Sequence, residues 1–266
     1  MQRKLLVDSH CHLQQMGNVS GVLQESFGLH KAVCNSTSEE DWEEVLNLSK
    51  CFTEVVPCVG IHPWWGNQVS SDWETKLVQK LLENPHAQVG EIGLDHMKSK
   101  IPSKQAQEAI FRAQVRIALE HNRVMSIHCV KAFGKVVNIL KQEMQLKKVP
   151  FLMHSYEGPL EMTQELLKHF SDQVVFSLSM VSVSKEKLRN SILSIPLENI
   201  LIETDSPSQV VTSLLSEDSL KYYNSNPQNH PKFLHHVLSA LAQLKGIDQL
   251  ELETILYNNF LRVFNL

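Results

Sequence analysis

The sequence predicts an α/β protein built as a (β/α)8 TIM barrel, a parallel sheet closed into a barrel inside a ring of outer helices, and three observations carry that expectation. Short apolar runs rich in β-branched residues recur eight times, at 5–10, 31–35, 54–61, 88–94, 123–129, 149–154, 173–179 and 199–205. Longer segments with apolar residues at three- and four-residue steps separate them, the period of a helix. The chain has 266 residues, and one barrel takes about 250. Strands that alternate with helices imply right-handed crossovers and a parallel sheet. No Gly/Ser-rich linker, low-complexity tract or repeat divides the chain, so one domain over 1–266 is the economical reading.

Taken in order, the first run is "LLVDSH", followed at once by Cys11 and His12. After the second run, "SEEDWEEVLNLSKC" opens on Ser38, Glu39 and Glu40, which suit a helix start. The third run closes on "GIHPWW" and the fourth on "GEIGLDH". Next, "SKQAQEAIFRAQVRIALEHN" repeats Ala109, Ala113, Val115, Ile117 and Leu119 and ends on Asn122, a helix cap. Runs five, six and eight end in "SIHC", "LMHSYEG" and "LIETDSP". Residues 206–231 read as a long loop with one short helix. Two amphipathic segments, 231–245 and 248–264, then complete the outer layer.

Composition narrows the function classes. Hydrophobic residues make up 42% and charged residues 20%, the balance of a globular protein with a sizeable core. No apolar run reaches the roughly 18–20 residues that span a bilayer, so no membrane role is expected. The N-terminal apolar run behind Arg3 and Lys4 stops at Asp8, too short for a signal peptide. Five cysteines, an odd number without a C-x-x-C pair, read as buried thiols of an intracellular protein, cytoplasmic or nuclear. The formal net charge of −4 is not that of a protein holding long duplexes by charge alone. A local metal-centred site still binds phosphate at that charge.

The barrel reading says where chemistry belongs, at the C-terminal ends of the strands. Alternate side chains of a strand share a face, so His10 and His12 point together and Cys11 points away. Alone, that pair reads as readily as two polar residues near a strand end. However, six of the eight runs end in His, Glu or Asp, and scatter does not place them so regularly. His10, His12, Glu91, His128, His154 and Asp205 supply four imidazoles and two carboxylates. That is too many for one tetrahedral zinc. It suits two divalent ions about 3.5–4 Å apart with a carboxylate such as Glu91 between them. The mixed nitrogen and oxygen donors accept Mg, Mn or Zn, and Fe or Co equally. Metals so close lower the pKa of a bound water, and Asp205 is placed to take its proton, so hydrolysis is the expected reaction.

Other residues divide between a functional and a plain structural reading. His62 either packs in the core or contacts a substrate phosphate. Asp95 and Glu203 read as acids that orient the ligands from behind. Trp64 and Trp65 stack on a base or pack within their loop. Lys131 reaches a phosphate or is simply solvated. Cys11 and Cys129 pack under helices.

In this order, "DSHCHL", "GIHPWW", "GEIGLD", "IHC", "HSYEG" and "ETDSP" resemble the TatD family of metal-dependent deoxyribonucleases, within the amidohydrolase superfamily. The tail "NNFLRVF" is similar to that family's closing Asn-x-x-Arg-x-Phe pattern, so the likeness runs through the whole chain. The resemblance implies a two-metal barrel that hydrolyses phosphodiesters, usually DNA and often as a 3′–5′ exonuclease on single strands or 3′ ends. It implies that His10, His12 and Asp205 hold one metal, His128 and His154 the other, and that Glu91 bridges, with His62 near the substrate phosphate. The chain departs from the pattern at His96, where the family has an aromatic, and at Val130, where it often has arginine. After "ETDSP" it lacks the "YLAP"-like and Arg-Asn-Glu-Pro stretches, although "NPQNHP" keeps an Asn-x-Pro. These departures resemble a divergent branch that includes the fungal Cut9-interacting protein Scn1. Two other readings stand beside a monomeric DNA-end phosphodiesterase. One is a barrel hydrolase of small amides, lactones or esters; the other is a catalytically weak barrel acting as a protein-interaction partner.

Overall fold

A computed structural model describes residues 5–97 and 102–266; the basic pair Arg3 and Lys4 lies outside the described residues. All eight expected strands form: β1 (Leu6–Cys11), β2 (Leu29–Asn35), β3 (Val55–Val59), β4 (Gln88–Asp95), β5 (Met125–Val130), β6 (Phe151–Met153), β7 (Val174–Leu178) and β8 (Ile200–Ile202). They belong to one sheet in sequence order, and the pairings β3–β4, β4–β5, β5–β6 and β7–β8 are parallel. Helices follow successive strands: α1 (Val19–Glu25), α2 (Trp42–Cys51), α3 (Trp73–Glu83), α4 (Lys104–Glu120), α5 (Phe133–Glu143) and α6 (Leu160–Phe170). After β7 come α7 (Met180–Ser184) and α8 (Arg189–Ser194), and after β8 come α9 (Glu217–Ser225), α10 (Leu234–Lys245) and α11 (Gln249–Phe264). This is the strand and helix order of a (β/α)8 barrel. None of the described helices is long and apolar enough to cross a membrane.

The chain divides into two compact units. The first comprises residues 1–33, 155–164 and 176–266. Its central feature is a seam between β1 and the end of β8. Asp205 N donates to His10 O at 2.9 Å and His12 N to Ser206 O at 2.8 Å. Beneath them Asp8, fully buried, accepts Thr204 N at 3.0 Å and Thr204 Oγ1 at 2.5 Å. Burial pushes the Asp8 carboxyl up to about 7, against the pull of the Thr204 hydrogen bonds. Ser9 Oγ lies 2.6 Å from Ser177 Oγ and donates to Ile202 O, which fastens β1 to β7 and β8. Outside the strands, α11 packs on β1 and β8 through Leu252, Leu256, Phe260 and Val263, the spacing of one helical face. The tail motif is structural here: Asn259 Nδ2 donates to Leu197 O and Ile200 O, and Arg262 to Glu198 O, fixing the chain as it enters β8.

The second unit comprises residues 34–154 and 165–175. Relative to the expected helix start at Ser38, α2 begins four residues later, at Trp42. The Asp41 carboxylate accepts Thr37 N and Ser38 N, which folds 37–41 as a turn first. Such side-chain bonds compete with helix formation. In α4 the cap Asn122 does take the left-handed conformation, φ 53°. Of the expected face of α4, Val115, Ile117 and Leu119 are buried, Ala113 is half-buried and Ala109 is exposed, and Gln107, Phe111, Gln114 and Ala118 complete the buried side. Both glutamines bind strand ends. Gln107 Oε1 accepts Asp95 N and Nε2 donates to Asp95 O, while Gln114 does the same for Ile61 N and O.

Strand β4 carries one extra residue against β5, where Val89 pairs with Met125 but Ile92 with Ile127. That bulge at Gly90–Glu91 re-aims the glutamate, and both glycines of "GEIG" are required. A Cβ on Gly90 would lie 2.6 Å from Asn35 Oδ1, and one on Gly93 (φ 143°) 1.9 Å from His128 O.

Two predictions follow from this packing. Gly93→Ala should lower the unfolding free energy by about 3 kcal/mol or more in urea titration; a loss under about 1 kcal/mol would show that β5 yields readily. The second concerns His236 on α10, whose Nε2 lies 2.9 Å from Ser219 Oγ. Burial, with His235 alongside, lowers its pKa to about 4. Its neutral form is favoured by folding, so its contribution is full above about pH 6.5 and is lost as pH falls toward 4. His236→Gln should flatten the fall in urea midpoint over that window; parallel curves for wild type and variant would refute it.

Candidate metal centre

Each unit gathers a cluster of imidazoles and carboxylates at strand ends. In the first, His10 and His12 alternate along the end of β1 and so face the same way. Their Nε2 atoms lie 3.3 Å apart. Asp205 Oδ1 stands 3.7 Å from His10 Nε2 and 3.4 Å from His12 Nε2, and all three residues are buried. Asp205 has φ 53°, a left-handed turn straight after β8 that brings its side chain back over the strand end. Cys11 points the other way, as alternation requires, and its thiol donates to Val33 O. Glu203, two residues before Asp205, is fully buried and its Oε1 accepts Ser155 N at 2.7 Å. It therefore fixes the turn that follows β6.

In the second unit, one oxygen of Glu91 faces three rings. Oε1 lies 2.7 Å from His128 Nδ1, 2.9 Å from His154 Nε2 and 3.3 Å from His62 Nε2. His128 Nδ1 is also 3.2 Å from His154 Nε2. Ligand atoms of His62, Glu91 and His128 fall within 4.8 Å of one another, the spacing of a metal site. Imidazole nitrogens this close around a buried carboxylate aim several lone pairs at one small volume. That donor set fits a divalent cation of borderline character.

The two histidines flanking this point are held differently. His128 turns Nε2 toward Asp95 Oδ2 at 3.5 Å. Burial lowers its pKa, but Asp95 and Glu91 together raise it above the usual value. Asp95 in turn accepts Trp64 Nε1 at 2.7 Å and Met97 N at 2.8 Å. Burial would raise its carboxyl, yet the hydrogen bonds from His128, Met97 and Trp64 hold it well below the ordinary range. A carboxylate behind a ligand histidine fixes the ring and raises its basicity. His62, by contrast, accepts Trp64 N at Nδ1, 3.2 Å away. In the neutral ring the proton then sits on Nε2, which makes His62 a donor toward the cluster.

Trp64 is 36% exposed and packs edge-on against His62 with centroids 4.8 Å apart. Its part in holding Asp95 was not legible in "GIHPWW". Trp65 is 38% exposed. Lys131 is exposed just past β5 in a left-handed conformation, φ 55°. Burial raises the Cys129 thiol far above its usual range, so it is a packing group. Sequence reasoning missed Gln107 and Gln114, which clamp the backbone next to His62 and at Asp95, and Gln209, which binds Asp205. For the first two, the available signal was a pair of glutamines seven residues apart on an otherwise apolar helix face.

The chain matches the model of the family described as TatD related DNase over residues 7–265. An "uncharacterized metal-dependent hydrolase" of Buchnera aphidicola (strain Bp) is 28% identical, over 98% of this chain and 96% of that protein. The "3′-5′ ssDNA/RNA exonuclease TatD" of Escherichia coli K12 is 25% identical, over 83% of this chain and 82% of that one. Among solved structures, the TatD homologue YjjV of Escherichia coli K12 shares the fold, with a TM-score of 0.86 at 23% identity over 99% of each chain. The chain therefore belongs to the TatD-related DNase family of metal-dependent hydrolases.

Proposed function

We propose that this hydrolase is a phosphodiesterase that removes nucleotides from the 3′ end of single-stranded DNA with two divalent ions, Mg, Mn or Zn. The observation that carries the reading is the pair of ligand clusters: His10, His12 and Asp205 in one unit, Glu91, His128 and His154 in the other. The Escherichia coli relative named for 3′-5′ ssDNA/RNA exonuclease activity supports the substrate class. In this reading His10, His12 and Asp205 would hold one ion, and Glu91, His128 and His154 would hold the other. A divalent ion in such a donor set supplies Lewis acidity toward a phosphoryl oxygen and lowers the pKa of its water.

The chain's own groups do the rest. Asp205, just past the end of β8, accepts the proton that the attacking water gives up. Asp95 holds the His128 ring from its far side. His62, protonated at Nε2, donates a hydrogen bond to a non-bridging phosphate oxygen, the type of contact that strengthens as charge builds there. Lys131 adds a positive charge for the next phosphate along the strand.

A 5′-labelled single-stranded oligonucleotide should shorten from its 3′ end when Mg, Mn or Zn is supplied, and stay intact with a chelator. Glu91→Ala and Asp205→Ala should each lower the rate about 100-fold or more while the circular dichroism spectrum is kept. No metal-dependent cleavage by metal-loaded protein would overturn the nuclease reading, and normal cutting by both variants would overturn the site assignment. His62→Ala should cost about 100-fold in kcat/KM and leave bound metal unchanged. Loss of an ion from that variant would make His62 a ligand instead of a donor.

A further inference from the structure

The segment after "ETDSP" lacks the family's usual residues, and it carries a side chain committed to the metal cluster. Gln209 sits four residues past Asp205 in a left-handed conformation, φ 60°, which is uncommon for a residue with a side chain. Its carboxamide is engaged at both ends. Nε2 donates to Asp205 Oδ2, while Oε1 accepts Ser155 Oγ at 2.7 Å and Ser179 Oγ at 3.0 Å. Flipping the amide would set its oxygen against the carboxylate, which can only accept, so Asp205 itself fixes which way the amide points, and the two hydroxyls then donate to its oxygen. The serines are anchored in turn: Ser155 N donates to Glu203 Oε1, and Ser179 Oγ caps α7 by accepting Ser182 N.

We infer that Gln209 is a positioning residue for Asp205. By holding Oδ2 it leaves Oδ1 as the oxygen offered to the ion shared with His10 and His12, so that Asp205 binds through one oxygen. This rests on the reading of Asp205 as a ligand. Without the amide, the carboxylate is free to rotate about its terminal torsion, toward two-oxygen chelation or away from the histidines.

The test is a double-mutant cycle on metal affinity, read with Mn2+ or Zn2+ against a chromophoric chelator. It compares wild type, Gln209→Met, Asp205→Ala and the double variant. Methionine keeps the length of glutamine and removes both hydrogen-bonding atoms; apo-protein melting curves report whether each variant folds. Gln209→Met should weaken one ion about 10-fold or more, and Asp205→Ala should weaken it further. The double variant should bind no more weakly than Asp205→Ala alone, because the glutamine acts through the aspartate. Ser179→Ala, which leaves Gln209 in place but loosens its amide, should give a smaller loss in the same direction. Wild-type affinity in Gln209→Met, or losses that add in the double variant, would overturn the inference while Asp205 stays a ligand. Undiminished affinity in Asp205→Ala would overturn the ligand reading and the inference together.

Discussion

The first ligand cluster depends on a buried carboxyl beneath it that is not one of its ligand candidates. Asp8 lies in the middle of β1, fully buried, and takes both the amide and the hydroxyl of Thr204. An acid in that position is costly unless its oxygens are satisfied, and Thr204 together with His10 N satisfies them. The consequence is a fixed register between the first strand and the residues that follow the last one. Because Asp8 meets Thr204, His10 O is set to receive Asp205 N and Ser206 O to receive His12 N. His10 and His12 are thus aligned by backbone bonding with Asp205, nearly two hundred residues later in the sequence.

The second cluster is arranged by a different device. Here β4 departs from regular pairing at Gly90–Glu91, and the departure is possible only because neighbouring atoms crowd a missing side chain at Gly90 and again at Gly93. The bulge turns Glu91 toward His128 and His154. Asp95 at the strand's end then reaches the far nitrogen of His128. One strand therefore supplies both the carboxylate that meets the rings and the carboxylate that braces one of them, and its two glycines let Asn35 and the His128 backbone approach.

Much of this was legible in the sequence because it is encoded locally. Each strand is an apolar run, and each ligand candidate lies within one or just past its end, so "DSHCH", "GEIGLD" and "ETDSP" report their own placement. Boundaries and supports were less legible, since neighbours decide them. The start of α2 moved because Asp41 is engaged by Thr37 and Ser38. The buried face of α4 was read only in part because its two buried glutamines look polar in one dimension and are satisfied only in three. Gln209 and Trp64 were hidden for a similar reason, as their partners lie on other loops or other strands. No periodicity reports a contact of that kind.

Gln107 and Gln114 have a consequence for how such a protein diverges. Each glutamine replaces a missing strand neighbour by pairing with the amide and carbonyl of one residue, Asp95 and Ile61. Those bonds are made to main-chain atoms, so they are indifferent to side-chain identity at the positions just beyond. His96, where the chain departs from the family pattern, therefore follows a stretch of backbone that Gln107 holds through main-chain atoms alone. The backbone at Ile61 and Asp95 is thus held from one helix by a pair of uncharged amides, whatever side chains follow.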